Sequence, residues 1–177
     1  SPVTTILHAA LALKDDHALE FVFIGGGYGK REIEEFIKKH HIANILSLPY
    51  QPLDELKFSI SAADVHLVTM GENMVGIIHP CKIYGAMAAA RPILYLGPSP
   101  SHISEILDAH PIGWSVRHGD LKEAVETIRR IMSTPSSRLH EMGKTARQLI
   151  EDNFSKASLC DTFCDAVDRT TSSLPAA

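Results

Sequence analysis

The sequence has little that would hold it together from outside a core of its own. Three cysteines in 177 residues, Cys81, Cys160 and Cys164, give no disulfide framework and point to a reducing, cytoplasmic setting. Cys160 and Cys164 fall on one face of an expected helix, but two thiols without further ligands make a poor zinc site, and packing is the simpler role. None of the ten histidines forms a metal-ligand motif with its neighbours, so no metal and no cofactor are expected. No apolar run approaches the roughly 18 residues of a membrane span, and the first residues do not read as a signal peptide. Basic residues number 17 against 21 acidic ones, for a net charge of −4. The clustered positive charge of a nucleic-acid binder is missing. What remains is a globular composition, 45% hydrophobic and 21% charged, long enough for one domain with a real core.

Five short runs, 19–24, 45–48, 65–69, 93–96 and 113–116, are apolar on both faces, as parallel strands covered by helices tend to be. Helical patterns separate them at 3–14, 30–41, 53–62, 81–89 and 101–109, and three more follow at 121–132, 136–150 and 156–170. This alternation predicts a Rossmann-like, doubly wound α/β fold with a parallel sheet. A helix comes first, with no strand ahead of it, whereas such a sheet normally carries its first strand at the centre. The expectation is the C-terminal domain of a larger protein, lacking its first strand. Residues 1–170 would form the domain, and the "TTSSLPAA" end, 171–177, a flexible tail.

"FVFIGGGYGKREIEEFIKKH" reads as a strand, a glycine turn at Gly25, Gly26 and Gly27, and a helix. Glycines let a backbone approach a ligand, and a helix start favours phosphate. It is not a Walker loop, because Ile24 and Arg31 stand where glycine and Ser or Thr belong. Nor is it a dinucleotide fingerprint, since Lys30 replaces the third glycine. A tight turn explains it about as well as a ligand loop does. In "LDELKFSISAADVHLVTM", Asp64 suits a turn partner and His66 a satisfied core histidine. The richest stretch is "GIIHPCKIYGAMAAARPILYL". Pro80 suits the first helical position, leaving amides near Cys81 and Lys82 at the positive end of the dipole. Lysine is electrostatically disfavoured there, so an anion held by His79, Lys82 and the backbone, with Gly76 just upstream, accounts for it better than local stability does.

Taken in order, these pieces resemble a GT-B glycosyltransferase: the C-terminal, nucleotide-sugar-binding half of the "group 1" family, glycosyltransferase family 4. The resemblance is carried by "FVFIGGGYGKREIEEF", "NILSLPYQPLDELKFSISAADVHLV", "KIYGAMAAARPIL", "SEIL" with "IGWSVRHGDLKEAVETI", and "MGKTARQLIEDNFS". It implies two Rossmann-like domains facing across a cleft, with the donor held mainly by this one and the acceptor by an N-terminal domain outside this chain. The diphosphate would meet His79, Pro80, Cys81 and Lys82, where an anion is also expected from the residues themselves. Gly25, Gly26, Gly27 and Tyr50 would line the nucleoside pocket. The family commonly carries two glutamates with seven residues between them, the second binding the ribose. Alignment on "AMA" puts Ile77 and Gly85 at those positions, and Ala90 replaces the usual glycine before Arg91. The pattern is similar instead to a branch with Pro-x-Lys-x-Tyr, which makes Lys82 the anchor.

The function so implied is transfer of a sugar from a nucleoside-diphosphate sugar to an acceptor, retaining and metal-independent. Lys82 and Glu72 are assigned to the catalytic site, and Glu72 or Glu105 would replace the lost carboxylate contacts. The isolated chain would be inactive. Nucleic acid is not an expected partner. The expected setting is the cytoplasm, at the membrane's inner face if the acceptor is lipid-bound. Two alternatives stand beside this: a GT-B-type nucleotide-sugar epimerase, which needs an acid/base pair in the cleft, and a non-catalytic nucleotide-sugar-binding or interaction module.

Overall fold

The computed structural model describes residues 2–78 and 81–153. The expected anion residues His79 and Pro80, the helix at 156–170, Cys160, Cys164 and the tail lie outside the described residues. The elements run α1 (Thr4–Ala12), β1 (Phe21–Ile24), α2 (Tyr28–His40), β2 (Ile45–Leu48), α3 (Leu56–Ala62), β3 (His66–Thr69), α4 (Lys82–Ala88), β4 (Ile93–Leu96), α5 (His102–Ala109), β5 (Gly113–Val116), α6 (Leu121–Ser133) and α7 (Ser136–Asn153). All five expected strands are present. The expected helix at 53–62 divides into a 3-10 turn at Leu53–Glu55 and α3.

Local chemistry sets several of these ends. Asp120 caps α6 by accepting from the Glu123 N–H at 2.9 Å, satisfying one of the helix's free amides. Ser101 and Ser104 bond reciprocally at the start of α5, a capping box built with serine at both positions. At the end of α2 lie Lys38, Lys39 and His40, charges that suit the negative pole of the helix.

The strands form two parallel sheets rather than one continuous sheet: β1 with β2, and β3-β4-β5 with β4 in the middle. One core lies between the triple and α4, α5 and α7, built from Val68, Ile83, Met87, Ile93, Tyr95, Ile103 and Ala146. A second lies on the other face of the triple, where Ile6, Ala9 and Leu13 of α1 meet Leu94, Leu96 and Val116 and the α6 residues Ala124 and Ile128. A third joins Leu7 and Ala10 of α1 to Ile33, Ile42 and Ile45 beside β1 and β2. α1 therefore straddles both sheets.

The direction of α1 shows that the two sheets run the same way. Near its start, Thr5 Oγ1 accepts from the Gly119 N–H at 2.9 Å, and Gly119 follows the carboxyl end of β5. At its other end, the Asn44 amide donates to the carbonyls of Ala10 and Leu13 at 3.0 and 3.3 Å, and Asn44 precedes the amino end of β2. α1 is thus antiparallel to both sheets, as a crossover helix should be.

Candidate functional site

In open parallel sheets ligands bind beyond the carboxyl ends of the strands, and a cavity is found there. It has a volume of about 270 Å³. Met70, directly after β3, forms its floor; Val75, Gly76, Ile77 and Ile78 form one wall, and Ser101, His102 and Ile103 at the entry to α5 form the other. The walls are mostly aliphatic. Val75, Ile77 and Ile78 are exposed, as is unusual for three aliphatics so close together unless something covers them.

The polar groups come from α4 and α5. His102 Nε2 lies 3.3 Å from the Tyr84 hydroxyl, linking the two helices at the cavity rim. Burial, reinforced by Cys81, pushes the Tyr84 hydroxyl up, so it stays protonated at neutral pH. Ser101 Oγ is engaged with the Tyr95 hydroxyl at 3.0 Å, and burial also raises Tyr95. Cys81 and Lys82 stand exposed where α4 begins.

The glycine turn and Tyr50 form a second candidate element, apart from the cavity. The Tyr50 ring lies against Gly25 and Gly26: a Cβ on Gly26 would come within 2.7 Å of the ring. With Tyr50 77% exposed, its other face is open. Gly25 and Gly27 have φ of 138° and 86°, conformations that favour glycine. Lys30, one turn on, does not reach for a ligand. Its ammonium donates to the Leu48 carbonyl at 3.0 Å and to Ser47 at 3.2 Å, and pairs with Glu34 at 3.2 Å, tying α2 to the end of β2.

Of the residues singled out from the sequence, Gly76 lines the cavity, Cys81 and Lys82 stand where α4 begins and are not among the cavity's lining residues, and the Gly25–Gly27 turn and Tyr50 come together elsewhere. Glu72 lies in a 3-10 turn and Glu105 in the first turn of α5; both are exposed and neither lines the cavity. Gly85 has open space where a Cβ would go, so packing does not require glycine there. Sequence reasoning missed Met70, Tyr84, Ser101 and His102. The Ser101-x-x-Ser104 pattern marked the start of α5, but not that this start faces the loop after β3.

Fold and cavity together define a Rossmann-like α/β protein with a crevice beyond the carboxyl ends of its strands. The chain belongs to the glycosyl transferases group 1 family, whose model matches residues 3–149. It is 32% identical over 169 residues to "Probable glycosyltransferase WbjE" of Pseudomonas aeruginosa, covering 93% of this chain and 40% of that protein. The chain thus spans about 40% of that relative's length. Among solved structures, TarM of S. aureus superposes with a TM-score of 0.71 at 17% identity, over 92% of this chain and 32% of that one. HepE of Anabaena, solved with UDP-glucose, gives 0.69 at 14% identity, over 95% and 45%. These likenesses bear out the family and fold expected from the sequence. Among the described residues no helix is long and apolar enough to cross a membrane.

Proposed function

We propose that this chain is the donor-binding half of a glycosyltransferase that moves a sugar from a nucleoside diphosphate to an acceptor held by another domain. One observation carries the reading: a member of this family has its cavity beyond the strand ends, between the loop after β3 and the entry to α5. The sugar occupies that cavity. Lys82 faces the diphosphate and offsets the charge that grows on it as the bond to the sugar breaks, without a metal ion. The open face of Tyr50 takes the nucleoside base by stacking, with the glycine turn close behind it. Glu72 and Glu105, exposed and outside the cavity's lining, supply carboxylates in place of the lost glutamates.

In this reading the reaction retains configuration. The attacking hydroxyl approaches on the face that the diphosphate leaves, and a diphosphate oxygen takes its proton. The isolated chain lacks the acceptor side and does not turn over. The whole protein works in the cytoplasm, at the membrane face where its acceptor is lipid-bound. An epimerase is less well supported, because among the described residues no pair of carboxylates lines the cavity.

Saturation-transfer NMR of the chain against UDP, GDP, ADP and TDP sugars tests the assignment. One nucleotide class is expected to bind, and Lys82→Ala to weaken it by about tenfold or more, the scale of one lost charge-assisted hydrogen bond. Unchanged binding by that variant would remove Lys82 from the site. A folded chain that binds none of the four would favour an interaction module instead.

A further inference from the structure

The cavity between the loop after β3 and the entry to α5 has two unequal sides. Met70, Val75, Ile77, Ile78 and Ile103 bring apolar side chains to it, while Ser101 and His102 stand on the α5 side. Val75, Ile77 and Ile78 are 47%, 75% and 51% exposed, a run of aliphatic surface that is unfavourable in water and gains from being covered. At about 270 Å³ the space falls at the small end of ligand pockets. It suits one sugar ring rather than a whole nucleotide sugar.

Many of the hydrogen-bonding groups around this space are already committed within the protein. The amides of Ile77 and Ile78 both donate to the Met74 carbonyl, each at 3.1 Å. On the floor, the Met70 amide donates to the Leu96 carbonyl at 3.0 Å, and the Met70 carbonyl accepts from the His118 ring at 2.7 Å. Ser101 is engaged as well. Its Oγ accepts from the Ser104 N–H at 3.2 Å and lies 3.0 Å from the Tyr95 hydroxyl, and its own N–H donates to Ser104 Oγ at 2.8 Å. The aliphatic wall thus has neither side-chain donors nor backbone donors at Ile77 and Ile78 to give a hydroxyl, and the polar partner facing it is the His102 ring.

We propose, on the reading that the donor sugar occupies this cavity, that the sugar is a 6-deoxyhexose whose methyl group lies against Val75, Ile77 and Ile78. C6 is the carbon that stands outside the ring of a hexopyranose, so it is the part of the sugar that reaches a wall of branched side chains. An ordinary hexose sets its C6 hydroxyl against that wall, giving up water without gaining a donor. A methyl group has no such bond to lose and gains from the burial. The ring hydroxyls keep the opposite side, toward His102. An acetamido sugar also brings a methyl group, but its amide carries an N–H and a carbonyl that the same wall strips of water.

Titration calorimetry of the chain with donors matched except at C6 tests this: UDP-glucose against UDP-6-deoxyglucose, GDP-mannose against GDP-6-deoxymannose, and TDP-glucose against TDP-6-deoxyglucose. UDP-N-acetylglucosamine and the bare nucleoside diphosphates are the controls. In the pair whose nucleotide binds, the 6-deoxy sugar is expected to bind tighter by about tenfold or more, the scale on which an apolar pocket sorts such groups. Saturation-transfer NMR of that complex should show the C6 methyl protons among the most strongly saturated. Ile77→Gln, at a position exposed enough to spare the fold, brings an amide to the wall and should narrow the preference to about threefold or less. Equal binding within the pair, a preference for the hydroxylated sugar or for the acetamido sugar alone, or an unchanged preference in Ile77→Gln would overturn the 6-deoxy assignment and leave the donor-binding reading intact. A folded chain that binds neither the donors nor the bare diphosphates would overturn both.

Discussion

The two sheets are built from similar sequence and meet different fates. β4, "ILYL", runs between β3 and β5 and has helices on both faces, so all four residues are buried. β1, "FVFI", has the same apolar character, yet alternates half-buried and exposed. Phe21 and Phe23 face α1 and α2, while Val22 and Ile24 face outward. α3, the helix that follows β2, buries none of its residues. Composition alone does not distinguish a strand covered on two faces from one covered on one. The number of layers around it does, and with it the stability each side chain can contribute.

The sharpest way to break this comparison is to make the same cut in both sheets. Ile93 is 0% exposed and Ile24 is 43% exposed. Ile93→Ala is expected to cost about 4 kcal/mol, because it removes buried methylenes and leaves a cavity. Ile24→Ala should cost about 1 kcal/mol or less. Urea unfolding of both variants checks this, and equal losses would mean that the outer face of β1 is covered after all. Next in size is Gly143→Ala on α7. A Cβ at Gly143 would collide with the carbonyl of Ala90, in the turn between α4 and β4. Backbone has to move to admit it, so a loss of about 2–3 kcal/mol is expected in the same assay.

Two residues in the left-handed region sharpen the comparison further. Ala90, at φ 54°, leads into β4, and His41, at φ 51°, leads into β2. A residue with a side chain is strained there, so glycine at either position relieves strain while adding freedom to the unfolded chain. Ala90→Gly is expected to raise global stability by about 0.5–1 kcal/mol. His41→Gly gives the same gain if the pair unfolds together with the triple. If instead the pair opens first, His41→Gly slows hydrogen exchange in β1 and β2 but leaves the urea midpoint where it was.

Most of the architecture was legible because strand and helix periods are local properties. All five strands fall where the apolar runs place them, and the differences lie at their edges. The run at 19–24 loses Leu19 because its N–H bonds back to Asp16 in a turn, and the run at 65–69 begins pairing only at His66. The site was harder to read. Lys30 follows a glycine turn in sequence, and only the fold shows that three partners on β2 and α2 hold it. Nothing in the sequence singles out His102, and only the folding of α5 against the loop after β3 brings it to a cavity. Such placements depend on contacts between segments far apart in the chain, which periodicity does not encode. Gly85 was legible as an absence, and the open space beside it shows that no packing need explains that absence.

The smallest effect concerns the fastening of α3. This helix has no buried residue, but two side chains grip its carboxyl end: His66 Nε2 lies 2.8 Å from the Ile60 carbonyl, and Arg91 donates to the Ser61 carbonyl at 2.7 Å. Burial lowers the His66 pKa, partly offset by the Ile60 bond, and the positive charge of Arg91 lowers it further. The folded protein thus holds His66 neutral at pH values where an unfolded histidine, ordinarily near 6.5, is already taking up a proton. Over that interval the unfolded state binds more protons, so stability rises with pH. The contribution is complete above the ordinary value and is lost as the pH falls through the lowered one. Urea unfolding at pH 7.5 and at successively lower pH should show a loss that begins below about 6.5 and shrinks in His66→Gln, whose amide can still donate to Ile60. An unchanged slope in that variant would show that the pH dependence arises at a group other than His66.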